Sequence, residues 1–136
     1  MRISKKGLYA LEAMIALGKH YPKQTIRIRN IASSERIPEK FLELILFELK
    51  RAGFVDSERG AKGGYRLKRS PRRIYLGEII RTIDGPLAPF GDAKSLRRLV
   101  ARDKKHRALF QLFLDVRNAA SRIVDHTTLA DVCGRN

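Results

Sequence analysis

Residues 59–73 read RGAKGGYRLKRSPRR, with seven lysines or arginines, no acid, three glycines and one tyrosine. The chemistry open to such a set is electrostatic. Arg59, Lys62, Arg66, Lys68 and Arg69 can pair with the oxygens of a polyanion, and Gly60, Gly63 and Gly64 let the backbone come close without colliding side chains. Arg72 and Arg73 follow Pro71 and can point elsewhere. Upstream, Lys40 and Glu43 are spaced to share one face of a helix. There Glu43 could accept a hydrogen bond from a cytosine amino group, and Lys40 could donate to a guanine edge or a phosphate. The competing reading is a plain intrahelical pair between the two, or solvent exposure.

Catalytic chemistry finds little to work with. GAKGG lacks the spacing and trailing Lys-Ser/Thr of a P-loop, and neither His-Glu-x-x-His nor Gly-x-Ser-x-Gly occurs. His20, His106 and His126 lie far apart in basic or helical sequence and are expected on the surface. Asp92, Asp103 and His106 could bind a hard metal ion, but Lys94, Arg97, Arg98, Lys104 and Lys105 would repel a cation there. Cys133 is the single cysteine, so an intrachain disulfide and a cysteine-rich metal site are both excluded. It reads as a small apolar residue. No enzyme activity, metal or cofactor is expected.

Across the whole chain, 29 Lys and Arg face 14 Asp and Glu, a formal net charge of +15. The excess is uneven: residues 1–75 hold 18 cations against 7 acids, and residues 76–136 hold 11 against 7. Such a field attracts polyanions, and double-stranded DNA is the first partner to consider. A non-specific nucleoid- or RNA-associated basic protein is the alternative. No apolar run reaches the roughly 18 residues of a membrane span, and the first residues lack the pattern of a secretory signal. No membrane partner is expected, and the location is read as cytoplasmic.

These charged residues must be positioned by the rest of the 136 residues, enough for one domain and an appended element. Residues 4–20 predict a first helix capped by Ser4, with Leu8, Leu11, Met14 and Ile15 at helical spacing. Ile26 and Ile28 alternate with Arg27 and Arg29 as in a short strand. A short helix carrying Ile31 and Ala32 follows, then a third with Pro38 in its first turn, running to Gly53. In that third helix Leu42, Ile45, Leu46 and Leu49 form one stripe, with Lys40, Glu43, Leu44 and Phe47 nearly opposite. Spacing leaves open whether Leu44 and Phe47 are extra core contacts or are presented outward.

A β-hairpin should follow, opened by Phe54 and Val55, returning through Tyr65 and Leu67, with a basic tip. Ile79, Ile80 and Ile83 mark a further helix stopped by Gly85 and Pro86. Residues 96–125 read as helix in two pieces divided near Asp103 and Lys104. In the last long helix Leu109, Leu112, Val116, Ala119 and Ile123 step by three and four, with Phe110, Phe113 and Leu114 widening the sector. Such a stripe predicts a homodimer. Thr127 or Thr128 could cap a final turn over TTLADV.

The order helix, short strand, helix, helix, hairpin is that of a winged helix-turn-helix. The expected fold is therefore mainly α with a small β-hairpin wing. Residues 1–85 form the winged helix-turn-helix DNA-binding domain, and residues 86–136 the linker, long dimerisation helix and C-terminal turn.

In order, the strings ISKKGLYAL, FLELILFELKRAGFVDSERGAKGGYRL, LGEIIRTIDGPLAP and TTLADV resemble the Rrf-two family of bacterial winged-helix transcription regulators. The likeness covers nearly all of the chain except about 90–107. Its specificity lies in the combination of Lys6-Gly7, Arg59-Gly60, Gly63-Gly64-Tyr65 and Gly77-Glu78. The resemblance implies a homodimeric repressor on a palindromic operator, with the long C-terminal helices crossing between subunits. It also implies that Glu43 reads a base and that Arg59 of the wing enters the minor groove. Lys40 and Leu44 depart from residues frequent in the family, which implies a different target sequence, and Leu8 stands where an arginine is frequent, so the DNA contact that the resemblance implies at that position is not expected. Members that sense through an iron-sulfur cluster carry three cysteines after the Gly-Pro-Leu-x-Pro string, and none occurs there. The implied regulator works without a cysteine-ligated cluster and answers to a small molecule or another protein.

Overall fold

The computed structural model describes residues 1–134, so the last two residues of the 86–136 segment lie outside the described residues. Among the described residues the order is α1 (Lys5–Gly18), α2 (Ile28–Glu35), α3 (Glu39–Arg51), β1 (Val55–Glu58), β2 (Gly64–Leu67), a 3-10 turn (Pro71–Arg73), α4 (Leu76–Asp84), α5 (Ala93–Arg102), α6 (Arg107–Val124) and α7 (Leu129–Val132). The expected fold class holds: a mainly helical chain with one two-stranded antiparallel hairpin.

α1 is the hub, against which α2, α3, α4, α7 and β2 all pack. Ser4 caps it by accepting from the Gly7 amide, as expected. Its buried face is made by Gly7, Ala10, Ala13, Met14 and Leu17, while Leu8 is exposed, contrary to the expected stripe. The small residues carry the contact because α4 comes close. Asp84 of α4 accepts the Ser4 amide at 2.9 Å, and the Ser4 hydroxyl bonds the same carboxylate.

The expected strand over Ile26 and Ile28 is reduced to one bridge, in which Ile26 and Tyr65 exchange two backbone hydrogen bonds of 2.8 Å. Ile28 already begins α2. The bridge depends on Gly64: its φ is +145°, and a Cβ there would stand 2.5 Å from the Ile26 carbonyl oxygen. Between α2 and α3 the turn is made by Arg36 in the left-handed region, φ 56°. Ile37 is buried, and Pro38 sits at the N-cap of α3, one position earlier than expected. α3 ends in a Schellman pair of bonds, from the Phe54 amide to the Leu49 carbonyl and from the Gly53 amide to the Lys50 carbonyl, both 3.0 Å.

α5 packs on α6. The apolar residues of α6 divide between two faces. Leu114 is buried, with Phe110 half-buried, whereas Leu109, Leu112, Val116 and Ile123 are exposed. Leu114 therefore does not widen the outer stripe as the spacing suggested. After α6 the chain turns back, and α7, capped by Thr128, sets Leu129 and Cys133 into the core around α1. Burial pushes the Cys133 thiol up. No helix among the described residues is long and apolar enough to cross a membrane.

Candidate nucleic-acid interface

α3 is anchored on one side and open on the other. Leu42, Ile45, Leu46 and Leu49 are fully buried. The opposite side is free of the core, so Leu44 and Phe47, 61% and 58% exposed, are presented outward with Lys40 and Glu43. Two ties fix the helix. Lys6 of α1 pairs with Glu48 at 2.6 Å, and Lys50 donates to the Ser57 hydroxyl on β1 at 2.6 Å. Glu39 in the first turn and Lys50 and Arg51 in the last complement the helix dipole.

The wing is tied at its tip to the segment that precedes α2. In the hairpin Val55 pairs with Leu67 and Glu58 with Gly64, which leaves 59–63 as the tip. Arg59, Gly60 and Lys62 are exposed there, so the tip is not folded into the interior. Thr25 donates to the Lys62 carbonyl at 2.8 Å, and the Arg27 guanidinium donates to the Ala61 carbonyl. A cleft of about 840 Å³ lies beneath, with Lys19, Lys23, Arg27 and Lys62 on its walls.

The predicted cations are not equivalent. Arg59 and Lys62 project from the tip, and neither has an ion-pair partner among the described residues. Arg66 is paired with Glu58 across the hairpin. Lys68 is exposed just past Leu67, at the base of the wing rather than its tip. Arg69 turns inward, stacked over Phe54 at 5.2 Å and 3.4 Å from Glu78, so its charge serves the fold. Lys40 and Glu43 make no ion pair with each other, which leaves both available.

Three positioning residues escaped the sequence reading. Arg51 lies over the Phe47 ring at 5.8 Å, on the outward stripe, and its spacing of four from Phe47 was the available signal. Thr25 and Arg27 steady the wing through backbone carbonyls, which no side-chain pattern announces.

Behind the interface, Arg81 of α4 makes a bidentate pair with Asp125 at 2.6 and 2.9 Å, and Ser121 also donates to that carboxylate. The Arg81 hydrogen bonds hold the Asp125 carboxyl below the usual range, and the same bonds raise Arg81. Gly77 lies directly beneath, where any Cβ would collide with Asp125 and Arg81. A second cleft, about 400 Å³, is bounded by Arg81, Lys94, Arg97, Arg117 and the apolar Pro86 and Leu87.

Residues 3–135 match the Rrf2 family, described as iron-dependent transcriptional regulators. The transcriptional regulator CymR of Bacillus subtilis is 35% identical over 132 residues, covering 97% of this chain and 89% of that protein. Its solved structure, that of the global cysteine regulator of B. subtilis, superposes with a TM-score of 0.83 over 98% of this chain and 96% of that one. The structure of T. potens IscR has a TM-score of 0.74 at 31% identity, over 96% of this chain and 85% of that chain.

The donor set does not fit the iron of that family description. Cys133 is buried beside Ile15, and among the described residues no three His, Cys, Asp or Glu side chains gather as a metal site. Asp92 caps α5 through the Ser95 amide, and Asp103 accepts the His106 amide. Hydrogen bonds from Ser95 and from the His106 amide are the first cause that lowers these two carboxyls, with the neighbouring cationic side chains adding to it. By the match along its length and the fold it shares with these regulators, the chain belongs to the Rrf2 family of helix-turn-helix transcriptional regulators, which are not enzymes.

Proposed function

We propose that the protein is a homodimeric, sequence-specific repressor that binds a palindromic DNA operator in the cytoplasm without a cysteine-ligated iron-sulfur cluster. The observation that carries this reading is the outward stripe of α3. It is a helix fully buried on one side, and on the other it presents Lys40 and Glu43 beside an exposed basic wing. In this reading α3 enters the major groove and Glu43 accepts from a base edge. Arg59 goes to the minor groove, with Gly60 allowing the close approach, and Lys62 and Lys68 pair with phosphates. Arg66 stays on Glu58 until a phosphate displaces it.

Residues 1–85 do the reading and 86–136 the pairing of subunits, through Leu109, Leu112, Phe113, Val116, Ala119 and Ile123 on α6. The exposure of that stripe supports the dimer. The input is a small-molecule or protein effector. A small molecule would sit in the cleft where Lys94, Arg97 and Arg117 stand with Asp92 around the apolar Pro86 and Leu87, at the junction of reading and pairing segments.

Footprinting on a duplex recovered from a randomised pool tests the reading. It predicts two symmetric protected half-sites separated by about one helical turn, roughly 34–36 Å. A uniform coating without register would instead favour a non-specific nucleoid- or RNA-associated protein.

A further inference from the structure

The outward side of α3 is not polar throughout. At about 100° per residue, Lys40, Glu43, Leu44, Phe47 and Arg51 fall on one stripe, so the two exposed apolar side chains follow the base-reading acid toward the C-terminal end of the helix. The fold does not use them, because the four residues that hold α3 to the core lie on the other side. What covers them is indicated by the charge around them. Lys40 stands at one end of the stripe and Arg51 at the other, with Arg59 and Lys62 on the nearby wing. A second copy of this chain would set those cations against their like, whereas a polyanion complements them. Duplex DNA offers one apolar group on its major-groove edge, the C5-methyl of thymine.

We propose that Leu44 and Phe47 read thymine methyl groups, which makes them specificity determinants alongside Glu43; this rests on the DNA-binding reading above. Their Cα atoms are separated by about 4.5 Å of helix rise, against about 3.4 Å per base step. The two side chains therefore meet methyls on neighbouring base pairs or on pairs one further apart, on the side of the base contacted by Glu43 toward which the C-terminal end of α3 points. Arg51 over the Phe47 ring keeps its guanidinium at the edge of the stripe, where a phosphate passes. Each half-site should then carry thymines beside the pair that Glu43 reads.

The test uses duplexes recovered from a randomised pool, with single thymines replaced by deoxyuridine. This keeps base pairing and removes only the methyl. At one or two positions per half-site, wild-type affinity should fall about fourfold, the worth of one buried methyl-sized group. Leu44→Ala and Phe47→Ala should each lose the sensitivity at one position while melting at the wild-type temperature, since neither side chain is in the core. If deoxyuridine binds like thymine everywhere while preference for the selected sequence persists, the inference falls and the regulator reading stands. If the selected duplex is not preferred over a scrambled one, both fall. If Leu44→Ala abolishes self-association and leaves methyl sensitivity unchanged, the stripe is an interface between copies and the inference is again overturned.

Discussion

Replacing Ile123 by lysine puts a charge in the outer stripe of α6, and the structure sets the size of the effect. Ile123 is 68% exposed, Leu112 55%, Leu109 46% and Val116 36%, together roughly two whole side chains of apolar surface per protomer. Burying a whole Ile or Leu is worth about 1.5–3 kcal/mol, so the exposed part of Ile123 amounts to about 1–2 kcal/mol. A twofold interface loses it twice, about 2–4 kcal/mol, which raises the dimer dissociation constant about 30- to 700-fold. Sedimentation equilibrium measures this directly, with wild type dimeric and Ile123→Lys shifted toward monomer. The lysine lies in the last turn, where a cation suits the helix dipole, so the melting of the isolated subunit is not lowered. Identical sedimentation of the two proteins, or a wild type that stays monomeric under all conditions, would refute the seam.

Further outcomes are expected. Glu58→Gln releases Arg66 at each wing, so DNA binding should tighten at low salt, and the slope of log K against log salt should steepen by up to about 0.9 per freed contact; fluorescence anisotropy over a salt series measures it. Arg36→Gly relieves a left-handed residue between α2 and α3 and should raise stability by about 0.5–1 kcal/mol in thermal melts. The carboxyl of Asp125 is held low in the folded chain, so its stabilisation is complete above the unfolded value of about 3.9 and is lost as pH falls through the folded value. Wild type should exceed Asp125→Asn by about 0.5–1 kcal/mol near neutrality, a modest figure because both partners are partly solvated, and the two melts should converge in acid.

How much of this was legible in the residues depends on how many elements each pattern could serve. The two sides of α3 could be read because Leu42, Ile45, Leu46 and Leu49 repeat as only a helix buries them. Residues 26–29 were ambiguous: four alternating positions suit a strand, yet Ile28, Ile31 and Ala32 also keep helical spacing, and the helix claims Ile28. Leu8 keeps helical spacing yet faces outward, because the buried face of α1 is made by the small Gly7, Ala10 and Ala13 with Met14 and Leu17, and Asp84 of α4 closes on Gly7. α6 carries two apolar faces that overlap in any linear pattern, and only the packing of α5 separates Leu114 from the outer stripe.

The wing's charge count overstated what is free. Opposite Arg66 the register places Asp56, and the diagonal neighbour Glu58 takes the guanidinium. That pairing follows from the register, which composition does not contain. The strings that carry the family likeness have physical reasons in the fold. Gly7 admits Asp84, Gly77 admits the Arg81–Asp125 pair, and Gly64 admits the Ile26 bridge.

The most direct measurement of the central claim compares the affinity of the protein for a duplex selected from a randomised pool with its affinity for a scrambled duplex of equal length and composition, at one salt concentration. Sequence reading by α3 predicts a preference of roughly 10³ or more for wild type that Glu43→Ala sharply reduces. Equal affinity for the two duplexes, or a Glu43→Ala loss of the same factor on both, would contradict it.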